Sequence, residues 1–157
     1  EGMLLASLGA QAAWTLFVVG RLVSDTGSVN LISIDDYAPD GNYILFQYPT
    51  GSVANISANA GAINQATCNA GTAYGWCVTG NGTTGTIRAS DNTNGSNFAN
   101  YSKLSAPMRL FRRGDGRYSN FEIAELLFYG SVLDSADRTT IWTYFNARYG
   151  TTIPASP

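Results

Sequence analysis

The 157-residue sequence contains no histidine. That absence removes the side chain that titrates nearest neutrality, the commonest zinc ligand and every Ser-His-Asp arrangement for nucleophilic catalysis. Charge is scarce as well: 13% of the residues are charged and the formal net charge is -2. Neither a basic stripe for phosphates nor a polybasic patch for anionic lipid is present, which argues against nucleic acid or a membrane surface as partner. Long apolar runs are missing too. Residues 2–20 carry no charge, but Ser7, Gly9, Gln11 and Thr15 dilute them, and Glu1 stands where a signal sequence would place Lys or Arg. We therefore expect no signal peptide and no membrane span, and read a short strand over 3–8 and a longer one over 14–23. The start at Glu1 rather than Met suggests a processed chain or a fragment.

Cysteine is limited to Cys68 and Cys77. They could face each other across a hairpin as a disulfide or be two buried thiols, and spacing alone leaves both open. What the chain does have is turn formers and apolar residues: 17 glycines, many Asn, Ser and Thr, 45% hydrophobic and 12% aromatic content. This length and composition fit one domain, and many turns between short strands point to an all-β sandwich.

Strands are expected over 31–34, over 43–48 with a hairpin partner over 52–57, over 74–78 with a partner over 85–89, over 108–113 and over 117–129. Residues 59–72 and 90–102, rich in small and polar side chains, read as long loops. Both 14–23 and 121–129 are apolar on both parities, the pattern of interior strands covered on two faces. After residue 129 the period changes. Asp134 can cap a helix whose Ile141, Phe145 and Tyr149 recur at helical spacing, and Gly150 supplies a left-handed stop.

The C-terminal pattern Ile123-Ala124-Glu125, Tyr129-Gly130, Leu133-Asp134-Ser135-Ala136-Asp137-Arg138, Tyr144-Phe145 and Arg148-Tyr149-Gly150 resembles the end of laminin-G-like, concanavalin A-like jelly-roll domains. Residues 14–21 resemble a strand of the same family. The resemblance implies a two-sheet antiparallel jelly-roll sandwich with one C-terminal α-helix at about 134–149, spanning residues 1–157 as a single domain. Such domains occur in phage virion and bacterial surface proteins. Full-length relatives carry a leading segment before that strand, whereas about a dozen residues precede Trp14 here, so this is a pared-down copy or one whose sheet another polypeptide completes.

Apart from Glu1, the glutamates are Glu122 and Glu125. In one regular strand their opposite parity sends them to opposite faces, so they would not form the carboxylate pair, roughly 5 Å apart, of a retaining glycosidase. The family's glucanase branch carries a Glu-x-Asp-x-x-Glu type strand that this sequence lacks. We therefore expect no enzyme, and read Glu125 as a carboxylate that binds backbone or Arg near the helix. Asp35, Asp36 and Asp40, with Asn42, could offer oxygen ligands to Ca²⁺, as related sandwiches do, or simply hold a turn.

For a sugar, a sandwich offers rim loops with amides, carboxylates and aromatic faces. Asp91, Asn92, Asn94 and Tyr101 have that composition, with Trp76 or Tyr74 nearby, although a strand Trp is also a core residue. Glycosylation sequons begin at Asn55, Asn81, Asn94 and Asn100. Arg112, Arg113 and Arg117, with Asp115, read as a solvated cluster or a subunit contact.

The expectation is an extracellular or virion-surface module without catalysis. It would be a fibre, decoration or adhesin of a phage particle or bacterial surface assembly, an oligomer that binds host glycan. The alternatives are a purely structural virion or filament subunit and a degenerate glycoside hydrolase.

Overall fold

The computed structural model describes residues 3–7, 13–23, 29–34, 44–48, 53–58, 62–67, 71–81, 84–89, 96–99, 107–110 and 121–151. They are mostly strands with one helix: β1 (Met3–Ser7), β2 (Trp14–Leu22), β3 (Val29–Ile34), β4 (Ile44–Tyr48), β5 (Val53–Ala58), β6 (Ala62–Thr67), β7 (Ala73–Gly80), β8 (Thr84–Ala89), β9 (Ser96–Ala99), β10 (Pro107–Leu110), β11 (Phe121–Tyr129) and α1 (Ser135–Tyr149). Among the described residues every strand pairing is antiparallel. One sheet runs β11-β2-β7-β8-β9 and the other β1-β10-β3-β4-β5-β6.

The expected hairpins of β4 with β5 and β7 with β8 form, with Phe46 opposite Ile56 and Val78 opposite Ile87. Three expectations need correction. The stretch 59–72 contains β6, zipped to β5 from Val53↔Thr67 to Ala58↔Ala62, and 90–102 contains β9, paired to β8. Small residues such as Ala62 and Ala66 have weak strand propensity, and here a long partner strand supplies what propensity does not. The third concerns β11, which stands at the end of its sheet order and pairs with β2 alone among the described strands.

β2 is the strand everything else in its sheet leans on. It lies between β11 and β7, and its side chains from Trp14 to Val19 are buried on both parities. Cross-strand partners share a face. One face therefore carries the rows Tyr129–Thr15–Thr79, Leu127–Phe17–Cys77 and Glu125–Val19–Gly75, and the opposite face carries Trp14, Leu16 and Val18 with Trp76, Val78, Leu126 and Phe128.

α1 covers the first of these faces. Trp142 and Phe145, three residues apart, both reach Phe17, and with Val19 and Cys77 they form a buried cluster against which Leu127, Tyr129, Leu133, Ile141 and Tyr149 pack. At its start the Asp134 carboxylate accepts the Asp137 N–H at 2.9 Å, and at its end Gly150 turns left-handed (φ 64°) and donates its N–H to the Asn146 carbonyl at 3.1 Å. The entry turn is clamped to β2. The buried Thr15 hydroxyl donates to the Ser131 carbonyl at 2.9 Å and accepts the Leu133 N–H at 3.0 Å.

Where β2 meets the first residues of β11 the two backbones come too close for a side chain. A Cβ on Gly20 would run into the Glu122 carbonyl and sit 2.5 Å from the Phe121 ring. Backbone cannot swing aside as a flexible side chain can. Gly20→Ala is expected to lower unfolding free energy by about 1–3 kcal/mol, read as a lower midpoint in urea; an unchanged midpoint would contradict this packing.

Candidate functional site

The site grows from an irregularity in β11. Its register against β2 shifts between Ile123 and Glu125, so that Glu122 lies opposite Arg21 and Glu125 opposite Val19. An extra residue at this β-bulge restores the phase. Arg21 and Val19 share a parity, so Glu122 and Glu125 project to the same face, the one that carries α1, and not to opposite faces as regular alternation would have it.

On that face the row Glu122–Arg21–Ala73 comes next after Glu125–Val19–Gly75. The helix ends at Tyr149 over the Val19 region and leaves this outermost row uncovered. A hollow of about 420 Å³ results, lined by Val19, Arg21, Ala73, Glu122, Ala124 and Tyr149 together with the backbone around Gly20 and Ile123. Arg21 and Glu122 are joined at 2.6 Å between Nε and Oε2, with 52% and 57% of their side-chain surfaces exposed. The carboxylate bonded to it raises the guanidinium pKa of Arg21 above its ordinary value.

Glu125 is held differently. One of its oxygens accepts the Tyr149 hydroxyl at 2.7 Å and the Tyr144 hydroxyl at 2.9 Å, with Arg148 Nε at 3.9 Å. Arg148 also donates to the Tyr149 hydroxyl at 3.0 Å. The carboxylate thus ties β11 to the last turns of α1: of the backbone or Arg partner expected from the sequence, Arg148 is present at 3.9 Å, but the hydrogen bonds come from two phenols. Tyr144 and Tyr149 were not anticipated as its donors. Their signal was the recurrence of tyrosines in the last helical turns above a strand glutamate.

Other candidates fall elsewhere. Asp91, Asn92, Asn94 and Tyr101 of the rim loop, and Asp35, Asp36 and Asp40 of the Ca²⁺ loop, lie outside the described residues. Trp76 belongs to the interior: it is 1% exposed, on the face of β7 away from α1, with ring centroids 6.1 Å from Tyr74 and 5.7 Å from Phe121. It is not a rim platform for a sugar. Cys77 is buried under the helix beside Phe17, and its proposed partner Cys68 is outside the described residues. Among the described residues no group of three or more His, Cys, Asp or Glu gathers to hold a metal, and no helix is long and apolar enough to cross a membrane.

No protein-family model matches the sequence, and no curated protein matches it. The fold does match solved structures. A native heptameric SAP-like pentraxin from Limulus polyphemus is similar over 89% of this chain and 74% of its own, with a TM-score of 0.65 and 12% identity. Trypanosoma rangeli sialidase in complex with the inhibitor DANA is similar over 83% of this chain, with a TM-score of 0.65 and 11% identity, and the chain spans 22% of that protein. CG-16, a homodimeric agglutinin from chicken liver, is matched over its whole length and over 82% of this chain, with a TM-score of 0.52 and 13% identity. These structures have concanavalin A-like jelly-roll folds, the class that the C-terminal motif implied. At such identities the fold is what is shared.

The Glu125 tie has a titration signature. The bond to the carboxylate raises the Tyr144 phenol pKa, burial adds to the rise, and Arg148 opposes it. The tie needs a protonated phenol, so its contribution is complete below the ordinary phenol pKa of about 10 and is lost as pH climbs through the raised value. In an ultraviolet titration Tyr144→Phe is expected to delete one late phenol, and Glu125→Gln to shift that phenol back toward the ordinary range. Identical curves for all three proteins would contradict the bond.

Proposed function

We propose that this chain is a non-catalytic, carbohydrate-binding jelly-roll module that works as an oligomer on a phage particle or a bacterial surface. The observation that carries the carbohydrate reading is the fold likeness to an agglutinin and to a sialidase, proteins whose names declare dealings with glycans. In the proposed architecture the two sheets stack face to face. Supporting this, Trp14, Leu16, Val18 and Val78 point away from the helix yet are buried, so they require cover from elsewhere in the chain.

The virion or bacterial surface setting rests on the C-terminal motif, from Ile123-Ala124-Glu125 to Arg148-Tyr149-Gly150. Oligomeric assembly is supported by the heptameric pentraxin and the homodimeric agglutinin as fold relatives. The low charge fits a partner recognised through hydroxyls better than one recognised through phosphate.

One rival has an observation behind it. The bulge brings Glu122 and Glu125 to one face, as a glycoside hydrolase would need. Against it, each carboxylate already holds donors of its own chain: Arg21 for Glu122, two phenols for Glu125.

A glycan array of bacterial surface polysaccharides and common oligosaccharides tests the proposal. Retention of at least one glycan, without its cleavage, is the expected outcome. Silence across the array would favour a purely structural subunit, and turnover that disappears in Glu125→Gln would make the protein a hydrolase.

A further inference from the structure

We propose that the hollow beyond the end of α1 is a saccharide subsite, and that it takes a neutral sugar ring. This rests on the carbohydrate-binding reading and gives it a place. At about 420 Å³ the hollow falls within the roughly 300–1,000 Å³ of small-ligand pockets. Its lining has two chemistries side by side, as a pyranose does.

The apolar part is a floor of short side chains, Val19, Ala73 and Ala124, with Tyr149 as the aromatic wall. Tyr149 is immobilised before any ligand arrives, because its hydroxyl donates to Glu125 at 2.7 Å and accepts from Arg148 at 3.0 Å. Its ring is held as well, 6.1 Å from the Phe145 ring and with the Arg148 guanidinium 5.5 Å over its centroid, so the part of Tyr149 that lines the hollow is fixed in place. A preorganised ring of this kind gives contact area for sugar C–H groups without the entropy of ordering a loose side chain.

The polar part is the Arg21–Glu122 pair. It uses Nε of the guanidinium and Oε2 of the carboxylate, and more than half of each side chain faces solvent. A guanidinium has further N–H donors and a carboxylate a second oxygen, so the pair presents donors and acceptors a few ångströms apart, matched to vicinal hydroxyls. Its charges cancel. An anionic sugar would have to compete with Glu122 for Arg21, whereas hydroxyls can bond to both partners without parting them. The inference is therefore for a neutral hexose or N-acetylhexosamine and against a sialylated or sulfated one.

Saturation-transfer NMR and calorimetry with lactose, maltose, cellobiose and chitobiose, alongside sialyllactose, test this on the whole chain. Wild type is compared with Ala124→Trp, which fills the hollow from an exposed bulge position, and with Glu122→Gln, which keeps the shape and removes the charge. Thermal midpoints confirm that both variants fold. The expected result is binding of at least one neutral disaccharide in preference to sialyllactose, weakened about tenfold or more in each variant. Wild-type binding that both variants retain would overturn the subsite and leave the carbohydrate reading standing. Preference for sialyllactose would overturn the neutral specificity. No binding to any of these sugars, together with a silent glycan array, would overturn both.

Discussion

The packing of Trp142 and Phe145 on Phe17 is the contact from which the rest of the described core follows. Ring centroids lie 5.0 and 6.1 Å from Phe17, both edge to face, and Tyr129 meets the same ring edge to face at 6.2 Å. Without that seat the helix has little to hold it. It is 15 residues long, and Thr139, Thr140 and Thr143 turn their hydroxyls back onto carbonyls one turn earlier, a habit of poor helix formers. Helices of this length are marginal alone in water, so its order comes from the sheet. Thr15 fixes one end and Glu125 the other, and the row Glu122–Arg21–Ala73 is left open because the helix stops where Gly150 turns it.

Much of this could be read from the chain before any coordinates. Asp134 and Gly150 bracket the helix closely, because caps are local chemistry, and the both-parity burial of Trp14 to Val19 announced a central strand. β6 and β9 were hidden because their stability comes from partner strands and not from their own residues. The bulge in β11 is the more instructive case. Phe121 and Ile123, then Leu126 and Phe128, belong to one face once the register shift is known. The apolar alternation skips a beat between 123 and 126. That phase jump is visible in the sequence, but apolar residues on both parities also fit burial on two faces, and strict alternation puts Glu122 on the wrong side. The Arg21–Glu122 pair lies 101 residues apart in sequence, a separation that no local rule spans.

The two glutamates show how one residue type serves two ends within a few residues. Glu125, partly covered, collects phenols and joins strand to helix. Glu122, at the rim, is balanced by a single guanidinium and stays open to water. The first arrangement fixes a shape and the second leaves chemistry available at its edge. A fold that hosts many functions says little about ligand by itself, and it is this contrast between a locked wall and an open polar rim that makes the hollow a place to look.

Native-state hydrogen exchange tests most directly whether helix and sheet are one body. If the seat on Phe17 holds the helix, amides around Trp142 and Phe145 will open with the same free energy and the same denaturant dependence as those of β2 and β7. Helix amides that exchange through a separate, smaller opening, while the strands stay protected, would mean that α1 merely rests on the sheet, and the hollow at its end would lose its fixed wall.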